Sequence, residues 1–163
     1  FGVESTVVDL CHTPPRLLRP GGITPEMLEA VLGPIEIDPA VTHALEQGAV
    51  AASPGMKYKH YAPTADITLI KSDFETFKNL CESEDGITAL CFDSEERLLS
   101  CPCVTYGKEN DGFSQSARLF DALRELDEMG ASKVYARCPD TKGMGMAVYN
   151  RLIRSAGFKI KVI

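Results

Sequence analysis

The chain has 163 residues, 44% of them hydrophobic and 25% charged, with a net charge of -6 and a sequence pI near 5.1. That length suits one domain, or a small domain with a piece of another, and it can bury a sizeable core. The acidic balance argues against broad nucleic-acid binding, which needs a cationic surface, and no apolar run approaches the roughly 18–20 residues that span a membrane.

The chain opens Phe1-Gly2-Val3-Glu4-Ser5-Thr6, with no basic start and no apolar signal core. It lacks an initiator methionine and reads as a trimmed chain or an excised piece. Residues 5–10 are β-branched and apolar and predict a strand. His12-Thr13-Pro14-Pro15 is turn chemistry. Arg16-Leu17-Leu18-Arg19 predicts a second strand that ends in Pro20-Gly21-Gly22. Thr24 then serves as N-cap, with Pro25 at the first helical position and Glu26 in the first turn. Met27, Leu28, Val31 and Leu32 recur at helical spacing until Gly33-Pro34 stops the helix. Residues 1–35 are too few to bury their own apolar faces and read as the end of a larger domain.

Residues 36–64 read as a connector, rich in proline, glycine and alanine. A loop of that length is usually functional or a linker. Within it, residues 53–63 carry Lys57, Lys59, His60, Tyr58 and Tyr61 and no acid. Pro54, Gly55 and Pro63 disfavour a continuous helix. Extended, the segment could reach on the order of 36 Å. A basic, aromatic, extended stretch in an acidic protein predicts a strap over an anion.

Residues 65–163 predict an α/β unit. Strands are expected at 67–70, 86–92, 104–106, 133–138 and 159–163. Between them come a helix carrying Phe74, Phe77, Leu80 and Cys81 on one face, a helical turn at 94–100, and helices at 114–129 and 145–156. The long helix is expected to turn Ala117, Phe120, Leu123, Leu126 and Met129 inward; the last one Val148, Leu152 and Ile153. Alternating strands and helices imply a parallel sheet with helices on its faces.

Six cysteines, Cys11, Cys81, Cys91, Cys101, Cys103 and Cys138, fit no zinc or redox spacing. They read as free thiols, and the compartment as the cytoplasm. Past Asp140 there is no acid, while Lys142, Arg151, Arg154, Lys159 and Lys161 follow; these read as a solvated helix face and strand end. Gly143-Met144-Gly145-Met146 reads as a tight loop opening the last helix. Ser5 and Thr6 are candidate ligand-binding hydroxyls at a strand entrance. Arg19, beside a glycine turn and a helix start, is a candidate phosphate ligand.

Together Gly2-Val3-Glu4-Ser5-Thr6-Val7-Val8-Asp9, Leu18-Arg19-Pro20-Gly21-Gly22-Ile23 and the segment 53–63 resemble the end of a YrdC-type catalytic domain and its linker. Residues 65–163, with Leu123-Arg124-Glu125-Leu126-Asp127 and the run from Gly143 to Leu152, are similar to the carboxy-terminal domain of the two-domain L-threonylcarbamoyladenylate synthases. The resemblance implies a Rossmann-like domain at 65–163, a β-β-α remnant of a catalytic domain at 1–35, and an interdomain linker or lid at 36–64. It implies a nucleotidyltransferase that joins L-threonine, bicarbonate and ATP, with magnesium, into threonylcarbamoyl-AMP and pyrophosphate. Downstream tRNA-modification proteins would use that product to modify an adenosine. No membrane and no tight direct nucleic-acid contact is implied.

By the same resemblance, Ser5 and Thr6 would contact the threonine or carbamoyl part and Arg19 the nucleotide phosphates. Tyr58 or Tyr61 would touch the ligand, and Lys57, Lys59 and His60 would be the basic part of the strap. The family's Lys-x-Arg and Ser-x-Asn motifs, which should lie upstream, are not in this sequence. A carboxy-terminal portion without its amino-terminal catalytic domain, inactive alone, is the expectation. The alternative is a stand-alone α/β regulatory module holding a small anion at the carboxyl ends of its strands.

Overall fold

The computed structural model describes residues 2–44 and 63–163. The first stretch builds a small sheet. Strands β1 (Val7–Asp9) and β2 (Arg16–Arg19) pair antiparallel, helix α1 (Pro25–Leu32) follows, and β3 (Glu36–Ile37) lies parallel to β2, giving the order β1-β2-β3. Thr24 caps α1 by accepting the Met27 N–H at 3.4 Å, and Gly33 ends it at φ 77°. The α1 stripe predicted from its spacing is helical but open: Met27 and Val31 are 51% and 83% exposed. β3 and a 3₁₀ turn (Pro39–Val41) fall in the stretch that reads as connector. The Glu36 and Asp38 N–H groups bond the Pro15 and Leu17 carbonyls at 2.9 Å, and Arg16 pairs with Glu36 at 3.0 Å. A strand of two residues is too short to show a period in sequence.

The second stretch forms the α/β unit: β4 (Asp66–Lys71), α2 (Phe74–Glu82), β5 (Ile87–Cys91), β6 (Cys103–Thr105), α3 (Gly112–Glu128), β7 (Lys133–Arg137), α4 (Gly143–Ser155) and β8 (Ile160–Val162). Its five strands run parallel in the order β6-β5-β7-β4-β8. The predicted parallel sheet flanked by helices is what forms. Residues alternate between faces as the pleat requires. Ile67, Leu69, Leu90, Val134 and Ala136 meet α3 and α4, while Ile70, Ile87, Ala89 and Cys91 meet Phe77 and Cys81 of α2. β5 is buried at every residue, which explains its unbroken apolar run.

Two expectations need correction. In α3, Ala117 and Met129 face solvent, and the buried positions are Gln115, Ser116, Leu119, Ala122, Leu123 and Leu126. A strict three-residue step lags the helix by about 60° each time, so the ends of such a stripe rotate off the core. In α4, Arg151 is buried and Arg154 is half-buried, so the basic run is not a solvated face throughout.

The reason is packing against the small sheet. Arg151 donates from Nε to Glu4, from Nη1 to Asn150 Oδ1, and from Nη2 to the Pro20 carbonyl at 3.1 Å. Buried Asn150 donates to the Val41 carbonyl, and Arg154 to the Ala40 carbonyl, each at 2.6 Å. Val3 packs on Met144 and Ala147. A side chain at Gly2 would meet the Ser116 carbonyl oxygen of α3 at 1.9 Å.

A second buried arginine lies at the carboxyl ends of the strands. Arg137 donates to Glu95 at 2.9 Å and to the Ser72 carbonyl at 2.7 Å. Its guanidinium lies over the Phe77 and Phe92 rings, 5.6 and 5.4 Å from their centroids. Glu95 also accepts the Phe92 N–H at 3.1 Å. The fully buried Tyr106 hydroxyl donates to the Arg137 carbonyl at 2.8 Å.

Removing one partner of such a pair strands a buried charge. Glu95→Ala should therefore lower stability by about 3 kcal/mol, read as a shifted urea midpoint; an unchanged midpoint would show that Arg137 is satisfied without it. A pH effect follows from Glu4. Burial alone would raise its carboxyl, but the Arg151 hydrogen bond and charge, helped by Arg19, hold it below its ordinary value. Its stabilisation is then complete above the unfolded carboxylate value and is lost as pH falls through the folded one. Glu4→Gln should flatten that acid limb of the stability curve, measured by thermal melts from about pH 2 to about pH 6, a span that brackets the ordinary carboxylate value and reaches below it.

Candidate functional site

Antiparallel pairing sets Val7 opposite Arg19. Residues just before Val7 and just after Arg19 therefore share one end of the hairpin. There Arg19 donates from Nε to the Ser5 carbonyl at 2.9 Å and from Nη2 to the Ser5 hydroxyl at 3.3 Å. The Thr6 hydroxyl donates to the Ile23 carbonyl at 2.8 Å and accepts the Ile23 N–H at 3.0 Å. Gly21 permits this approach: an added Cβ would stand 2.5 Å from both the Glu4 carbonyl oxygen and the Thr6 nitrogen.

The structure thus brings Ser5, Thr6 and Arg19 together. Ser5 is exposed and Arg19 half-buried, while the Thr6 hydroxyl is engaged in pinning the loop that leads into α1. Tyr58, Tyr61, Lys57, Lys59 and His60 lie outside the described residues. A guanidinium beside an exposed hydroxyl can hold and orient an oxyanion by charge and by its planar donors.

Two further residues frame this end of the hairpin. Glu4, immediately before Ser5, and Pro20, immediately after Arg19, are both bonded by Arg151 of α4. Burial pulls the Arg151 guanidinium down from its usual value, yet arginine's range is high enough that it keeps its charge at neutral pH. Glu26, in the first turn of α1, accepts the Gly143 N–H at 3.2 Å and so faces the start of α4, where a carboxylate is favoured. Its own main-chain N–H and the Thr24 hydroxyl hold it below the usual carboxylate value. Reading the sequence missed Arg151 as a site-framing residue. The available signal was a polar pair, Asn150-Arg151, between Tyr149 and Leu152 on an otherwise apolar helix face.

Elsewhere the α/β unit offers less. At the carboxyl ends of β7 and β4, where a parallel sheet commonly holds ligands, Arg137 and Glu95 fill the side toward α2, and a cavity of about 170 Å³ lined by Lys71, Cys138, Asp140 and Tyr149 remains on the side toward α4. A cavity of about 370 Å³ opens at the other end of β5, but Glu82, Glu84 and Asp85 line it, a poor setting for a phosphate. The described cysteines are free thiols, and burial pushes Cys81 up to about 12, far from a reactive thiolate. Gly143 and Gly145 lie within the first turn of α4, which starts two residues earlier than its apolar spacing implies.

The family model described as threonylcarbamoyl-AMP synthase, C-terminal domain, matches residues 23–157. The threonylcarbamoyl-AMP synthase of Bacillus subtilis is 39% identical over 98% of this chain and 47% of its own length. That of Pyrococcus abyssi is 38% identical, with the same coverage, and that of Schizosaccharomyces pombe 35% identical over 95% of this chain and 42% of its own length. The crystal structure of P. abyssi Sua5 complexed with L-threonine superimposes with a TM-score of 0.83 at 34% identity, covering 99% of this chain and 48% of that one. A variant of the same protein, with a histidine–tyrosine pair replaced by alanines, gives 0.80. The chain spans about half the length of the relatives it matches. On these similarities, the chain belongs to the threonylcarbamoyl-AMP synthase C-terminal-domain family.

Proposed function

We propose that this chain is the carboxy-terminal part of an L-threonylcarbamoyladenylate synthase, a cytoplasmic nucleotidyltransferase. The reaction joins the threonine nitrogen to the carbon of bicarbonate with loss of water. A carbamate oxygen then attacks the α-phosphorus of ATP, and pyrophosphate leaves. The product carries a mixed anhydride that feeds tRNA adenosine modification. The observation that carries the reading is the Arg19 guanidinium seated on Ser5, at 2.9 Å to its carbonyl and 3.3 Å to its hydroxyl. It supports Arg19 as a ligand for the nucleotide phosphates, with Ser5 and Thr6 beside the threonine or carbamoyl part. The similar P. abyssi protein, crystallised with L-threonine, supports that substrate.

The rest of the pocket belongs to an upstream catalytic domain in this reading. α1 leaves Met27 and Val31 exposed, an apolar stripe suited to packing against further chain. Magnesium would arrive with ATP, held by its phosphates. To the segment 53–63, which lies almost wholly outside the described residues, this reading gives the role of keeping water from the labile anhydride. It contains a His–Tyr dipeptide, His60-Tyr61, and a dipeptide of the same composition is replaced in the P. abyssi variant. The α/β unit docks the hairpin and binds no nucleotide itself.

Two measurements test this. The 163-residue chain given ATP, L-threonine and bicarbonate releases no pyrophosphate above background, whereas the full-length protein does; release by the chain alone would overturn the reading. In the full-length protein, Arg19→Ala lowers kcat/KM for ATP by roughly tenfold to a hundredfold, the worth of a charge-assisted hydrogen bond. A chain beginning at Thr64 that binds ATP in calorimetry would move the function to the α/β unit instead.

A further inference from the structure

We propose that the cavity between the carboxyl ends of β4 and β7 and the flank of α4 is a binding site for a small free α-amino acid, with Lys71 and the Tyr149 hydroxyl taking its carboxylate and Asp140 its ammonium group. The inference goes beyond the reading of Ser5 and Arg19 and stands without it.

The pleat of the sheet builds the site. Along β4, Ile67 and Leu69 face α3 and α4, and alternation carries Lys71 to the same face. Along β7, Val134 and Ala136 do the same, and Cys138, just past the strand, packs on that core too. Ile160 of β8 lies opposite Leu69. With Tyr149 of α4 and the turn Pro139-Asp140-Thr141, these residues surround about 170 Å³.

Three observations point to a ligand. Tyr149 is only 8% exposed and packs in the core, yet its hydroxyl has no hydrogen-bond partner among the described residues. A buried hydroxyl left unpaired is costly, so this one calls for an acceptor from the cavity. Burial raises the phenol above its ordinary value and keeps it a donor at neutral pH. Second, Lys71 and Asp140 line the same cavity, and neither enters an ion pair among the described residues. Asp140 spends one oxygen on the Lys142 N–H at 3.2 Å. A lone anion in this space would meet Asp140 and a lone cation would meet Lys71, whereas a zwitterion answers both charges. Third, the size fits: at about 30 Å³ per water-sized group the cavity of about 170 Å³ takes about six such groups, close to alanine or serine and far short of a nucleotide. Pro139 and Ile160 offer the ligand's side chain an apolar wall. The amino end of α4 adds nothing of its own, because Asp140 and Glu26 already take the Lys142 and Gly143 N–H groups.

The test is methyl NMR on the full-length protein, with the Ile160 δ-methyl as local reporter, assigned by Ile160→Val. L-Alanine and L-serine should shift that signal and saturate it with a Kd on the order of 1 mM. Acetate and methylammonium, which carry one charge each, should bind roughly tenfold more weakly or worse. Lys71→Ala and Asp140→Asn should each weaken L-alanine binding by roughly tenfold. Tyr149→Phe should weaken it severalfold while the melting temperature of the unliganded protein stays unchanged or rises, because the ring remains and an unpaired hydroxyl is removed. A merely structural tyrosine would not split the two readouts that way. Should Lys71→Ala fail to fold, Lys71→Gln removes the charge at similar length and must show the same loss. An Ile160 signal that neither amino acid moves overturns the proposal. So does acetate or inorganic phosphate binding as tightly as L-alanine, which would make the place a plain anion site, and so does L-alanine binding that survives the loss of the Lys71 charge.

Discussion

A guanidinium buried in a protein interior must find partners for its planar donors, and Arg151 meets that requirement only outside its own sheet. Asn150 supplies one acceptor; Glu4 and Pro20, from the small hairpin, supply the others. The small sheet has strands of two to four residues and could not hold its shape from its own contacts. Its order depends on a helix that begins more than a hundred positions later. The same dependence runs the other way: with the hairpin removed, Arg151 and Arg154 would be cations on a helix flank beside an apolar face.

The topology explains why α4 takes that role. In the order β6-β5-β7-β4-β8, the crossover from β7 to β8 passes over β4. α4 then packs beside α3 on one face, and α2 stands alone on the other. One flank of α4 is left toward the small sheet, and Val3, Met144 and Ala147 fill it with apolar contact. Glu26 completes the fit by facing the amino end of α4. Polar bonds at the middle and at the start of one helix set the angle of docking as well as the contact.

Much of this was legible in sequence where local rules decide the outcome. The unbroken apolar run of β5 announces a strand buried on both faces, and Thr24-Pro25 announces a helix start. The hydroxyls at Ser5-Thr6 and the arginine before Pro20-Gly21 announce a polar site, though not that pairing Val7 with Arg19 would place them at one end of one hairpin. β3 was not legible, because its two residues are chosen by β2 and by the Arg16–Glu36 pair. Arg151 was not legible as a buried residue because charge is normally a surface signal. Its burial is decided by Glu4, 147 residues away along the chain.

The two buried arginines of the α/β unit do opposite things. Arg137 is consumed internally: Glu95, the Ser72 carbonyl and two phenyl rings satisfy it beside the carboxyl ends of the strands. Arg151 is satisfied externally, at the edge of a hairpin that presents a serine hydroxyl and a half-buried arginine. The parallel sheet thus carries one buried arginine bonded within its own unit and one on α4 bonded chiefly to the small sheet. A substitution in α4 that leaves the sheet intact can still displace Glu4 and Pro20, and with them the neighbouring Ser5 and Arg19.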